Sequence, residues 1–200
     1  MKLYFAPQSR AVRVAWCLEE LGLPYELEKF ALGQPEMRAE SYRQVHPMGR
    51  VPALEADGLT LFESGAIIQW LLARERGHNL IPQDQAAFAQ YLQWFHYAEG
   101  MIMPPINTYV VETVLLPPER RTEVNVKRSA KLLNQMLTAV EAHMAGRDWL
   151  AGGFSGAEFM TGHAIIAAST LGGDFSDKPN LTAYVARMKA RPALQKALAL

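Results

Sequence analysis

The sequence predicts a small α/β domain followed by an all-helical one. Three observations carry this. Residues 3–29 read as strand, helix, strand. Residues 51–76 read as a two-stranded hairpin that leads into a helix. Beyond residue 84 no strand pattern of any length occurs, only apolar stripes at three- and four-residue spacing. The chain has 200 residues, 50% of them hydrophobic, which suffices for one large domain or two small ones. The expected division is 1–77, a linker at 78–83, and 84–200.

Leu3-Tyr4-Phe5-Ala6 is a nearly continuous apolar run and suits a strand buried on both faces. Pro7-Gln8-Ser9 turns out of it, and Ser9 is placed to cap a helix with the apolar face Ala11, Val14, Ala15, Leu18, Leu21. Gly22 and Pro24 stop that helix. Tyr25 to Lys29 alternates, as an edge strand would, and forms a parallel pair with the first strand. Gly33 to His46 is polar, with short irregular helix. Val51-Pro52 then opens a strand, where proline is tolerated at the first residue or an edge. A proline at such a corner is a candidate for a cis bond. A cis corner turns the Val51 backbone groups away from the ladder and leaves them for a ligand. Asp57-Gly58 is a hairpin signal between Val51–Ala56 and Leu59–Phe62. Ser64 is the expected N-cap of a helix from Gly65 to about Arg76, with Ile67, Ile68, Leu71 and Leu72 buried.

The second half reads as helices throughout. Phe88, Tyr91, Leu92, Phe95, Ala98 and Ile102 form a stripe that Pro104-Pro105 should kink or end. Val126, Ala130, Leu133, Leu137, Val140 and Met144 form a regular one that stops at Gly146. Ser155 and Glu158 have capping-box spacing, and Phe154 with Phe159 has the spacing of a hydrophobic staple. A helix should run from there to about Leu171. Leu181, Tyr184, Val185 and Met188 mark a last helix, which Pro192 should break before a short terminal turn.

Composition narrows the function. Formal net charge is zero, so there is no electrostatic footprint for nucleic acid or an anionic membrane. No run approaches a membrane span, and the N-terminus lacks the apolar length of a signal peptide. Cys17 is the single cysteine, which excludes an intrachain disulfide, a Cys-x-x-Cys pair and a multi-cysteine metal site. The histidines show no ligand spacing, so no metal is expected. A reducing, cytoplasmic setting follows. The chemical signal lies at Glu63-Ser64. A helix N-terminus suits a carboxylate, and Glu63 beside it can pair with an ammonium. Together they suit a zwitterionic amino-acid head group.

The Val51-Pro52 corner, Glu63-Ser64, Leu80-Ile81-Pro82, the Trp94-to-Gly100 segment and the Ser155/Glu158 box together resemble the cytosolic glutathione S-transferases, in their bacterial, serine-type branch. The resemblance covers the whole chain. It implies a thioredoxin-like βαβαββα domain followed by an all-α domain. It also implies a glutathione site in which the Val51 backbone, ahead of Pro52, pairs with the cysteinyl part. Glu63 and Ser64 would hold the γ-glutamyl group, and Arg50 would face the glycyl carboxylate, with Gln34 a further candidate. Ser9 would donate a hydrogen bond to the glutathione thiolate, with Tyr4 as the rival donor. Cys17 is off the catalytic position and reads as packing. His46 stands where the family more usually has asparagine, and Glu158 where it usually has aspartate.

The implied function is a glutathione transferase that attacks a small hydrophobic electrophile in a pocket between the domains. Pro7, Met103 and Tyr109 are its candidate lining, with Met101 nearby. Conjugation is the default chemistry; dehalogenation, peroxide reduction and isomerisation begin from the same thiolate. The alternatives are a non-catalytic protein of this fold acting through a protein partner, and a glutathione-dependent peroxidase or thiol-redox protein. A homodimer is expected.

Overall fold

The structure, a computed structural model, describes residues 1–75 and 77–200. The third helix is described to Arg74, and its expected end at Arg76 lies outside the described residues. The chain divides into two compact units, Met1–His78 with Lys189–Leu200, and Asn79–Met188.

In the first unit, β1 (Lys2–Phe5), β2 (Glu26–Lys29), β3 (Ala53–Ala56) and β4 (Leu59–Phe62) make one sheet in the order β2-β1-β3-β4. β1 and β2 are parallel, and the other pairs are antiparallel. The parallel pair is joined through α1 (Ala11–Leu21), as such pairs require. Asp57 and Gly58 both have positive φ, +52° and +77°, the type I′ turn that matches strand twist. β3 begins at Ala53 rather than Val51, because Pro52 has no N–H for the ladder. Leu3 lies opposite Leu54, and both are fully buried. The short α2 (Glu40–Arg43) lies between β2 and β3 in the chain. α1 packs on β1, α3 (Ser64–Arg74) on β3, and the two long helices on each other. Tyr4 and Ala53 form a second cluster with Met37 and Tyr42, and Phe30, Val45 and Val51 pack against it.

Pro192 does not end the last helix. It opens α9 (Pro192–Ala199), at the first position, where its missing N–H would be unpaired anyway. α9 packs on α1, with Leu194 and Ala197 fully buried. The Arg191 guanidinium grips Glu20 of α1 with both arms, at 2.6 and 2.7 Å.

The second unit is helical. It contains α4 (Gln85–Tyr97), α5 (Met103–Val110), α6 (Glu123–Met144), α7 (His163–Ala168) and most of α8 (Pro179–Lys189). Asp84 caps α4 by accepting the Ala87 N–H at 2.9 Å. The break expected at Pro104-Pro105 falls earlier. The winding widens into a π-helical turn over Ala98–Ile102, and the prolines then sit in the first turn of α5. The helix expected to reach Leu171 stops at Ala168, whose carbonyl accepts the Gly173 N–H at 3.0 Å. Ahead of α7 the capping box closes on the Glu158 side only, since the Ser155 hydroxyl accepts the Ala157 N–H at 3.3 Å and donates to Glu158 at 2.9 Å instead of accepting the Glu158 N–H. Glu158 accepts the Ser155 N–H at 2.8 Å, and Phe154 meets Phe159 edge-on at 5.7 Å. Glu158 is fully buried and also accepts from the Leu150 N–H (2.9 Å) and the Tyr184 hydroxyl (3.3 Å). Among the described residues, no helix is long and apolar enough to cross a membrane.

Candidate active site

Sheet register assembles the site. Tyr4, Ala53 and Phe62 lie side by side across β1, β3 and β4. β1 therefore leaves into Pro7-Gln8-Ser9 at the edge of the sheet where β3 enters from Val51-Pro52. β4 leaves into Glu63-Ser64 at that same edge. Segments distant in sequence thus share one end of the first unit.

Ser9 is half-buried in its turn. It was predicted as the cap of α1, but it stands one residue before the N-cap, Arg10. Its Oγ accepts the Ala11 N–H at 3.0 Å and donates to the Ala6 carbonyl at 2.7 Å. The hydroxyl is thus fixed from behind, and its proton rests on the neighbouring turn. Tyr4, the rival donor, is buried in the Tyr42 cluster, its ring 5.4 Å from the Tyr42 ring. Its phenol is pushed up by burial, then by the Glu55 carboxylate. Tyr4 thus lies at the same end of the sheet as the Ser9 turn, with its ring taken up in that cluster.

The Val51–Pro52 peptide is cis, as the corner suggested. The loop ahead of it is tightly tied. The Tyr42 hydroxyl donates to the Arg50 carbonyl at 2.6 Å. His46 is buried, accepts the Met48 N–H at 3.2 Å, and lies against Phe62 at 5.0 Å. Burial lowers the His46 pKa below its usual value. The Arg50 side chain is exposed, and Gln34 is taken up locally, accepting the Ala31 N–H at 2.6 Å.

Glu63 is exposed and takes φ +72°, ψ 112°, a conformation that costs a side-chain-bearing residue on the order of 1–3 kcal/mol. It also corrects the predicted helix start. The Glu63 carbonyl accepts the Ile67 N–H at 3.0 Å, so Glu63 is the N-cap and Ser64 the first helical residue. The Ser64 hydroxyl makes no cap bond. It accepts from Nη1 of Arg13 at 3.3 Å, and both residues are buried. Arg13 was missed from sequence. The signal was available: Ala11 to Leu18 is apolar all round α1 except at Arg13, and a helix apolar on every side is a buried one.

Cys17 is fully buried, and its thiol is pushed up by that burial. Pro7 is exposed in the first unit. Met103 and Tyr109 belong to the second, where Met103 is buried and Tyr109 half-buried with its ring against the Gly172 turn. Among the described residues, no group of three or more His, Cys, Asp or Glu is placed to hold a metal ion.

Residues 9–74 match the family described as glutathione S-transferase, N-terminal domain, and residues 102–192 match its C-terminal domain. Glutathione S-transferase 3 of Schizosaccharomyces pombe is 31% identical over 208 residues, covering 96% of this chain and 84% of the relative. A glutathione transferase from Pseudomonas putida, solved with one glutathione disulfide bound per subunit, superimposes with a TM-score of 0.88 at 26% identity, covering 100% of this chain and 90% of that one. A second, from Burkholderia graminis with two glutathione molecules bound per subunit, gives 0.85 at 28% identity, covering 98% and 86%. The shared edge of Ser9, Val51-Pro52 and Glu63-Ser64 and the match along both units lead to one conclusion: the chain belongs to the glutathione S-transferase family.

Proposed function

We propose that this chain is a glutathione transferase of the serine-type, bacterial branch, acting on a small hydrophobic electrophile. The observation that carries the reading is the meeting of Ser9, the Val51 corner and Glu63-Ser64 at one end of the sheet. Related proteins solved with glutathione or its disulfide support the choice of ligand. The γ-glutamyl group fits the start of α3, its carboxylate toward the first-turn N–H groups and the Ser64 hydroxyl, its ammonium toward Glu63. The Val51 backbone, outside the ladder, is offered to the cysteinyl unit, and Arg50 to the glycyl carboxylate.

Ser9 then acts on the sulfur. Its Oγ keeps the Ala11 N–H, and its proton swings from the Ala6 carbonyl to the thiolate. A free thiol titrates near 8.5, and lowering that by about two units needs roughly 2.7 kcal/mol. A charge-assisted hydrogen bond with the helix dipole supplies that much. The thiol proton goes to solvent. The thiolate sulfur bonds to the electrophilic carbon as the leaving group departs with its electron pair. Pro7, Met103 and Tyr109 are the acceptor-side residues we would substitute first. The buried Cys17, with its raised pKa, speaks against a thiol-redox protein working through that residue.

The test is a glutathione titration that follows thiolate absorbance across pH in wild type and Ser9→Ala. We expect a thiolate band about two units below the free thiol's titration, lost in the variant along with most of the turnover, while glutathione still binds. Binding without a thiolate band would leave a glutathione-binding scaffold acting through a partner. We further propose a homodimer, for which light scattering should give near twice the 22.3 kDa chain mass.

A further inference from the structure

The geometry points to Arg13 as a positioning residue that sets the preference for the γ-glutamyl carboxylate, acting through Ser64. The inference rests on the proposed glutathione site and adds a residue to it. Arg13 is wholly buried on α1, and Ser64 is nearly so, at 0% and 3% exposure. The Arg13 Nη1–H to Ser64 Oγ bond, 3.3 Å long, spans 51 residues of sequence and ties the start of α1 to the start of α3.

Its direction matters. A guanidinium has only donors, so Ser64 must accept from it. That leaves the serine's single proton to point elsewhere. A Ser64 free of Arg13 could turn its proton inward, as Ser9 does onto the Ala6 carbonyl. With Arg13 in place the hydroxyl is held as a donor. It stands at the first helical residue, beside N–H groups that lack intrahelical partners. What fits a donor hydroxyl, first-turn amides and a permanent cation one bond behind is a carboxylate. The positive charge lies in a poorly solvated interior, where its field is screened far less than at the surface. Arg13 thus contributes in two ways: it orients the hydroxyl, and it adds a charge to the positive end of the α3 dipole. A neutral head group would gain from neither.

The experiment compares two ligands by calorimetry on the full chain. One is glutathione. The other is its analogue with the γ-glutamyl α-carboxylate converted to a primary amide. In wild type we expect glutathione to bind more tightly by about tenfold or more. Arg13→Gln keeps a donor for Ser64 but removes the charge. Its preference should fall toward one, mainly through weaker glutathione binding, with amide binding nearly unchanged. Arg13→Lys should recover most of the preference. A merely structural role would weaken both ligands together and leave their ratio as in wild type, and that result overturns the inference. Should Arg13→Gln not fold, Ser64→Ala decides the matter. The relay requires the preference to fall there, and a wild-type ratio overturns it. A wild type that binds neither ligand removes the glutathione reading itself. A wild type that binds both equally removes the Arg13 assignment and leaves that reading standing.

Discussion

Gly49 shows how little room the loop before Val51 has. Its φ is +59°, and a Cβ there would lie 2.1 Å from the Met37 carbonyl oxygen. Backbone cannot move aside as a flexible side chain can. Gly49→Ala should therefore cost on the order of 3 kcal/mol, from the clash and the left-handed backbone together. It should also weaken glutathione binding, because the loop holds Arg50 and Val51. Urea unfolding and calorimetry on the same preparation test both parts, and wild-type stability would mean that the Met37 segment yields. Some residues announced themselves. Val51-Pro52 and Asp57-Gly58 were legible because proline and Asx-Gly act through local stereochemistry. Glu63 as N-cap was not, since glutamate has no preference for positive φ and its conformation is imposed from outside. Ser64 was assigned the cap because a serine at a helix start usually is one. Its partner Arg13 is 51 residues away, and no local pattern carries such a bond.

Among elements, the segment from Ser155 to Ala168 is the one most tied to pH. Burial raises the Glu158 carboxyl from about 4.5 to about 7, against the pull of the Leu150 and Ser155 donors. Between those values the folded chain keeps a proton that the unfolded chain gives up. The contribution is therefore fully present below pH ~4.5 and is lost as pH rises through ~7. Its size is about 3 kcal/mol. His46 runs the other way. Its lowered pKa gives stability that is present above its ordinary value and lost as pH falls. Glu158→Gln isolates the first effect. The variant should be less stable than wild type at pH 5, since its amide N–H must face a backbone donor. The gap should narrow by pH 8, as wild type loses its own term. Melts at the two pH values test this, and a gap that widens with pH would show that the carboxylate is the stable form. The capping box was legible because its spacing is local. The π-turns at Ala98–Ile102 and Glu158–Gly162 were not, since one extra residue in a turn leaves the apolar stripe nearly unchanged.

At the scale of the whole molecule, the first unit is built from both ends of the described chain. α9 was hidden in sequence because a proline reads equally as the end of one helix or the first residue of the next. The packing decides it: Leu194 is fully buried, and Arg191 clasps Glu20. Leu194→Ala should cost roughly 2–5 kcal/mol. Hydrogen exchange should show the loss in α1 amides more than in α6 amides. Equal loss in both would mean that the two units open as one block. The expected boundary at residue 77 followed the composition of the linker, which marks where the chain leaves the first unit but not that it returns. That return has a consequence for synthesis. A ribosome makes residues 1–78 first, yet the helix that covers α1 is encoded more than a hundred codons later. The nascent first unit must wait, with the Leu194-binding face of α1 uncovered, until the second unit has been translated and residues 189–200 have left the exit tunnel.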